Sequence, residues 1–410
     1  MTRRQGVRAV AVLVLLFLAA SGALLFWLLN PPATVSTASI ALRPVSYSEL
    51  EGWAATDPRL ARDAFARSCT RLSGLPVGEA MTGAGHGGTA GDWIESCRHI
   101  PLSGNAALVR RWFEDNFVPV AISSQGEREG LFTGYYEPEL EGSRKMAGPF
   151  RIPVYGRPDD LVDADLGAFR ETLRGERISG RVVDRKLVPY FTRAEIDHFG
   201  LPHAPTLFFA EDPASVFFLQ IQGSGRVHFA DGLVERVAYD GQNGLPYTPI
   251  GRILLESGQI ARAKMSMQAI KSWIDSHPFK SANVMEKDRS FVFFKELPLG
   301  NAALGSPGAE GVPLTPDASI AVDERLNVLG APYYIVAKVP DADPARPDRA
   351  LDQLVVAQDI GGAIRGGVRA DVFFGYGKLA ESLAGRMKSR GFLYVLLPRA
   401  LARRVGAMTS

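Results

Sequence analysis

The sequence predicts a mainly β, β-rich α+β molecule built around a β-barrel, behind an N-terminal transmembrane or signal helix. From Gly130 onward the chain breaks into short β-like runs separated by Gly and Pro, without the regular strand–helix alternation of a doubly wound sheet. The composition, 46% hydrophobic and 22% charged over 410 residues, is that of a packed globular chain of two or three domains. The apolar residues are also concentrated in one wholly uncharged block near the start. A net charge of +2 offers no basic field for nucleic acid, and two cysteines support neither a disulfide framework nor a four-thiolate zinc site.

Arg3, Arg4 and Arg8 precede the uncharged run Ala9–Leu29. At ~1.5 Å per residue, a helix of that length crosses a roughly 30 Å hydrocarbon core. The arginine flank puts the N-terminus in the cytoplasm and the rest of the chain outside. Leu24–Leu29 carry the run past the small-residue stretch Ala19–Ala23, which favours an uncleaved anchor over a cleaved signal peptide. Residues 1–30 read as that anchor or signal, and 31–44, rich in Pro, Ser, Thr and Ala, as a linker. Outside the cytoplasm, Cys69 and Cys97 are expected to form a structural disulfide. Cys69 also lies in the amphipathic pattern Leu60, Phe65, Ala66, Cys69, Leu72, so two separately buried thiols are the alternative.

Helices follow near 58–72 and 105–117, with a Gly-rich loop over 83–91 between them. Strands are predicted over 131–136, 152–155, 206–209, 216–221 and 227–229. Helical patterns occupy 250–258 and 265–276, where Pro278 ends them. Strands return over 290–295, 319–322, 333–339, 351–357, 370–374 and 392–397. The terminal Arg399, Arg403 and Arg404 read as a solvated or disordered end, too few for a nucleic-acid stripe.

No Walker loop, nucleophile elbow or complete dinucleotide fingerprint is present, and the six histidines show no metal-ligand spacing. No metal or cofactor is expected. What remains are Gly-rich turns holding acidic, amide and aromatic residues: Thr133-Gly-Tyr135-Tyr136-Glu137-Pro138, Gln220-Ile-Gln222-Gly-Ser224-Gly225, Tyr239-Asp-Gly-Gln-Asn-Gly244, and Gln358-Asp359-Ile-Gly-Gly-Ala-Ile-Arg365-Gly366 leading into Arg369-Ala-Asp371-Val-Phe-Phe-Gly375. Rings beside amides and carboxylates suit carbohydrate, whose C–H faces pack on aromatics while its hydroxyls need donors and acceptors.

In this order, these segments resemble the membrane-bound lytic transglycosylase A family, which cuts the glycan strands of bacterial peptidoglycan. The resemblance implies a double-psi β-barrel domain, over residues 45–136 and 290–401 and with the barrel mostly from the latter, and an inserted β-rich substrate-binding domain over 137–289. A glycan groove would lie between them. It further implies peptidoglycan as the partner, with cell-wall synthesis or division proteins beside it; the arginine-flanked apolar segment, for its part, implies a periplasmic place, held to the inner membrane by the N-terminal helix or free in the periplasm if that segment is cleaved. Familiar members are lipoproteins; this sequence has no cysteine before Cys69.

The resemblance maps the catalytic acid onto Asp371, with Asp359 as a nearby carboxylate. Asp371 would protonate the bond between N-acetylmuramic acid and N-acetylglucosamine, then accept the C6 hydroxyl proton as that oxygen closes on C1, giving a 1,6-anhydro sugar without water. Such an acid needs its pKa raised by burial or by a second carboxylate; Asp359 would supply that charge, or else simply cap its turn. Tyr135 and Tyr136 would line the groove, or else pack in a core; Gln222 and Ser224 would bond hydroxyl or acetamido groups, and Lys295 would meet a carboxylate of the glycan or of Asp371. A hydrolase of the same fold and a non-catalytic peptidoglycan-binding protein are the competing readings.

Overall fold

A computed structural model describes residues 40–173 and 176–409. The predicted membrane helix, and the linker as far as residue 39, lie outside the described residues. Among those described, no helix is long and apolar enough to cross a membrane. The last five residues of the predicted linker are instead a strand, β1 (Ile40–Pro44), paired antiparallel with β2 (Phe117–Ser124).

The strands continue as β3 (Gly130–Glu137), β4 (Glu139–Ser143), β5 (Ile152–Tyr155), β6 (Val162–Asp165), β7 (Arg177–Val183), β8 (Lys186–Pro189) and β9 (Thr206–Ala210). Then come β10 (Ser224–Phe229), β11 (Val234–Gln242), β12 (Val292–Pro298), β13 (Ser319–Val322), β14 (Pro332–Val339), β15 (Arg349–Ile360), β16 (Arg369–Tyr376) and β17 (Lys388–Pro398). One sheet runs β1-β2-β17-β14-β15-β13-β16-β3, and pairing of β17 with β3 closes its last six strands into a barrel. Within the ring, β16 is parallel to β3 and β13 parallel to β15.

Strand alternation sorts the barrel residues. Phe132 and Tyr136 of β3, Ile320 and Val322 of β13, and Ala370 and Val372 of β16 enter one apolar core. The intervening Thr133, Tyr135, Ala321 and Asp371 face the other way. Helices Arg59–Leu72 and Ala106–Asn116 add Phe65, Leu72, Val109 and Phe113 to that core. Cys69 and Cys97 are joined as a disulfide, with a Cα–Cα distance of 5.4 Å, tying the first of these helices to the helix Ala90–Cys97. Arg399, Arg403 and Arg404 are exposed, as a solvated end requires, but the stretch is ordered. It opens the helix Arg399–Thr409, which buries Leu401, Ala402 and Val405, and Arg399 bonds the carbonyl of Asp115 at 2.7 Å.

A second sheet, β12-β11-β10-β4-β9-β5, carries its own core around Val154, Phe208, Leu219, Val227 and Phe294. A bridge between Gly156 and Phe294 draws its two edges together. A three-stranded sheet, β6-β7-β8, lies beside it in the chain.

Helix content exceeds the expectation, and the molecule is mixed α/β. The segment predicted as a strand over 216–221 belongs to the helix Pro213–Gln222. Its Val-Phe-Phe-Leu run is buried, so no polar face betrays the helical period. Its start, however, is marked: Asp212 accepts the amides of Ala214 and Ser215 at 3.0 and 2.9 Å, and Pro213 occupies the first turn. Pro278 likewise ends one helix, Met267–Ser276, only to begin the next, Pro278–Met285.

Candidate active site

The barrel register aligns the acidic residues. Asp371 on β16 lies opposite Ala321 on β13, and Ala321 lies opposite Asp359 on β15. On its other side Asp371 faces Thr133 of β3. Residues opposite one another across neighbouring strands share a face, so Asp359, Ala321, Asp371 and Thr133 form one row on the face turned from the core. The two Asp backbones are separated by one intervening strand, roughly 10 Å.

Each carboxylate has its own set of partners. Asp371 Oδ1 accepts from the Thr133 hydroxyl and lies 2.5 Å from Arg369 Nη1; Arg369 Nη2 also donates to Thr133 Oγ1 at 2.8 Å. Asp359 Oδ2 accepts from the Tyr135 hydroxyl at 2.9 Å, and Oδ1 from the Ala309 amide at 2.9 Å. Tyr135 stands two residues from Thr133 on the same face, its ring against Phe373 at 5.2 Å. Burial raises the Asp359 carboxyl above its ordinary range, and the charge of Asp371 adds to that; Ala309, Tyr135 and the Ile360 backbone pull the other way. The Tyr135 hydroxyl is pushed well up, by burial first and then by Asp359, so it remains a donor.

Residues 131–295 match the MltA specific insert domain, and 318–397 match the 3D domain. The membrane-bound lytic murein transglycosylase A of Vibrio cholerae is 34% identical over 278 residues, covering 66% of this chain and 67% of that protein. A solved membrane-bound lytic murein transglycosylase from Agrobacterium tumefaciens is 31% identical with a TM-score of 0.77, over 89% of this chain and 99% of that one. MltA from Neisseria gonorrhoeae is 32% identical with a TM-score of 0.71, over 90% and 96%. The chain belongs to the lytic murein transglycosylase A family.

Within this MltA-family chain, the remaining predicted site residues are dispersed. Tyr136 points into the barrel core and is 4% exposed. Gln222 caps β3, its Oε1 accepting the Tyr136 amide at 3.0 Å. Ser224 is buried on β10 opposite Ala238 of β11. Lys295 pairs with Asp240 of the adjacent β11 at 3.2 Å, not with Asp371.

Other residues of the site escaped sequence reasoning. Arg369 and Thr133 were within reach, since each lies two residues from a singled-out side chain on a strand, and such pairs share a face. Ala309 was not, because it acts through its backbone. Glu137 is the third case: fully buried at the end of β3, it lies 3.0 Å from both Arg226 of β10 and Arg236 of β11 and accepts the Ser306 amide at 2.7 Å. Both guanidiniums also donate to the Leu304 carbonyl, at 3.2 and 2.6 Å. This buried triad fastens the second sheet to the strand that carries Thr133 and Tyr135.

Proposed function

We propose that this chain is a peptidoglycan lytic transglycosylase that cleaves the β-1,4 bond between N-acetylmuramic acid and N-acetylglucosamine and leaves 1,6-anhydromuramoyl ends. The observation that carries the reading is the single row Asp359–Ala321–Asp371–Thr133 on the outer face of the barrel, in a chain of this family. Asp371 gives its proton to the leaving O4 as the C1–O4 bond breaks. The C6 oxygen of the same muramoyl residue then bonds C1, and its proton passes to the Asp371 carboxylate, restoring the acid. No water enters. Arg369 and Thr133 both grip Oδ1, an arrangement suited to holding the anion between the two halves. Asp359, fixed by Tyr135 and Ala309, sets the charge beside Asp371.

The barrel domain, read as a double-psi barrel over residues 45–136 and 290–401, then forms one wall of the glycan groove, and the insert over 137–289 forms the other. Tyr135, Gln222 and Lys295 act on the substrate side, with Ser224 buried behind them on β10; the Lys295–Asp240 pair, half exposed, is open to exchange for a glycan carboxylate. Residues 1–30 hold the enzyme to the inner membrane with its body in the periplasm, beside proteins of wall synthesis or division.

The test is mass spectrometry of muropeptides released from sacculi by the wild type and by Asp371→Asn. Anhydro ends from the wild type and their loss in a folded Asp371→Asn are expected. Products about one water heavier, without anhydro ends, would make the enzyme a hydrolase. Unchanged release by the variant would remove Asp371 from the chemistry.

A further inference from the structure

The segment between β12 and β13 carries a buried acid that the proposed chemistry does not use. Glu310 is 1% exposed. It follows Ala309, whose amide donates to Asp359, and its own N–H donates to the Gln358 carbonyl at 3.0 Å. Its Oε2 accepts from the Ser68 hydroxyl of helix Arg59–Leu72 at 2.7 Å. Its Oε1 has no hydrogen bond, and the Gln358 side-chain amide nearby is committed to the Ala64 carbonyl and Ser68 Oγ, both at 2.8 Å. Gly330 closes the remaining side: a β-carbon there would lie 2.6 Å from Oε1, and φ is +88°.

We propose that Glu310 is a positioning residue for Asp359: its neutral carboxyl lets the 305–317 segment seat against β15, and its ionisation favours release of that segment and of the Ala309 amide with it. The inference rests on the role given above to Asp359. An anion with one donor in a dry site is poorly compensated, whereas the released segment would hydrate it. The charged groups around it are Arg71 on the helix, which favours the anion, and Asp359 on β15, beyond the Ala309 amide. Burial outweighs Ser68, Arg71 and Gln358 and raises the Glu310 carboxyl to about 7.

The sign follows from linkage. Release lets Glu310 ionise at its ordinary 4.5 while the seated form holds its proton to about 7. Release therefore becomes easier as pH rises between these values and levels off above. From pH 5 to pH 7 the opening constant grows about fortyfold.

Amide hydrogen exchange of residues 305–317 in the full-length protein, corrected for the intrinsic pH dependence of exchange, reads this constant without substrate. It therefore stands or falls separately from the transglycosylase reading. The wild type is expected to show that rise and plateau, and Glu310→Gln to lose the rise set by Glu310, keeping only the linkage of Asp359, which loses the Ala309 amide on release, and of Asp317, which burial pushes up in the seated segment. Ser68→Ala, which removes a group favouring the anion, is expected to carry the rise to higher pH, and it serves if Glu310→Gln does not fold. In turnover, Glu310→Ala is expected to lower kcat, and Glu310→Gln to restore it. A flat wild-type profile, the same rise in Glu310→Gln, or an unmoved plateau in Ser68→Ala overturns the proposal.

Discussion

Replacing Tyr135 by Phe removes one oxygen from the site and little else. The ring keeps its packing on Phe373 at 5.2 Å, so the change isolates the 2.9 Å hydrogen bond to Asp359. A hydrogen bond to a charged group contributes about 1.5–3 kcal/mol. Asp359 retains backbone donors, the Ala309 amide on its other oxygen and the Ile360 backbone. Because Tyr135 holds the carboxyl of Asp359 down against burial and against Asp371, its loss pushes that carboxyl further up. The anion of Asp359 is then lost sooner as pH falls. The acid limb of kcat/KM on purified sacculi should move to higher pH, and on that limb the variant should be roughly ten- to hundredfold slower than the wild type, the rate equivalent of the lost bond. At pH values where Asp359 is ionised in both proteins the gap should narrow. A carbon-13 titration of the Asp359 carboxyl should move in the same direction. An unmoved acid limb together with an unmoved titration would refute the assignment of Asp359 as a charge held in place by Tyr135.

Further outcomes follow from the rest of the molecule. Glu137→Ala strands Arg226 and Arg236, each at most 6% exposed in its side chain, and should cost about 3–5 kcal/mol in urea unfolding; a loss under 1 kcal/mol would mean that the triad does not fasten the two sheets. Reduction of Cys69–Cys97, separated by 28 positions, should lower unfolding free energy by about 3–4 kcal/mol. Neither cysteine is bonded to Asp371, Arg369 or Thr133, so kcat at 25 °C should be kept, and a parallel loss of kcat would mean that the bridge also positions the site.

Much of the barrel was legible because its strands are short β-like runs bounded by Gly and Pro, and the two strands beside the site also alternate in part. On β3 and β16, Thr133, Tyr135 and Asp371 lie between Phe132, Tyr136, Ala370 and Val372, and that period-two pattern marks strand and outward face together. The helix Pro213–Gln222 was missed for the opposite reason: an element buried on most sides carries no polar stripe, and only Asp212 and Pro213 mark its type. The C-terminal arginines are solvated as expected, but the helix that carries them was missed, because Leu401, Ala402 and Val405 between them bury an apolar face while Arg399 reaches the Asp115 carbonyl and Arg404 reaches Asp92 at 2.7 Å.

By itself, then, the sequence determined the kind of molecule: a barrel-bearing chain behind an apolar leader, with two candidate carboxylates in motifs dense enough to show the family. Local pattern suffices there, since burial on one face and turn chemistry are written residue by residue. Only the tertiary structure decided how the carboxylates differ. Asp371 meets Arg369 and a hydroxyl, while Asp359 meets a tyrosine and the amide of a segment some fifty residues earlier in the chain. Charge state depends on burial and on partners brought in by barrel closure, and closure joins strands too distant in sequence for any local pattern to record.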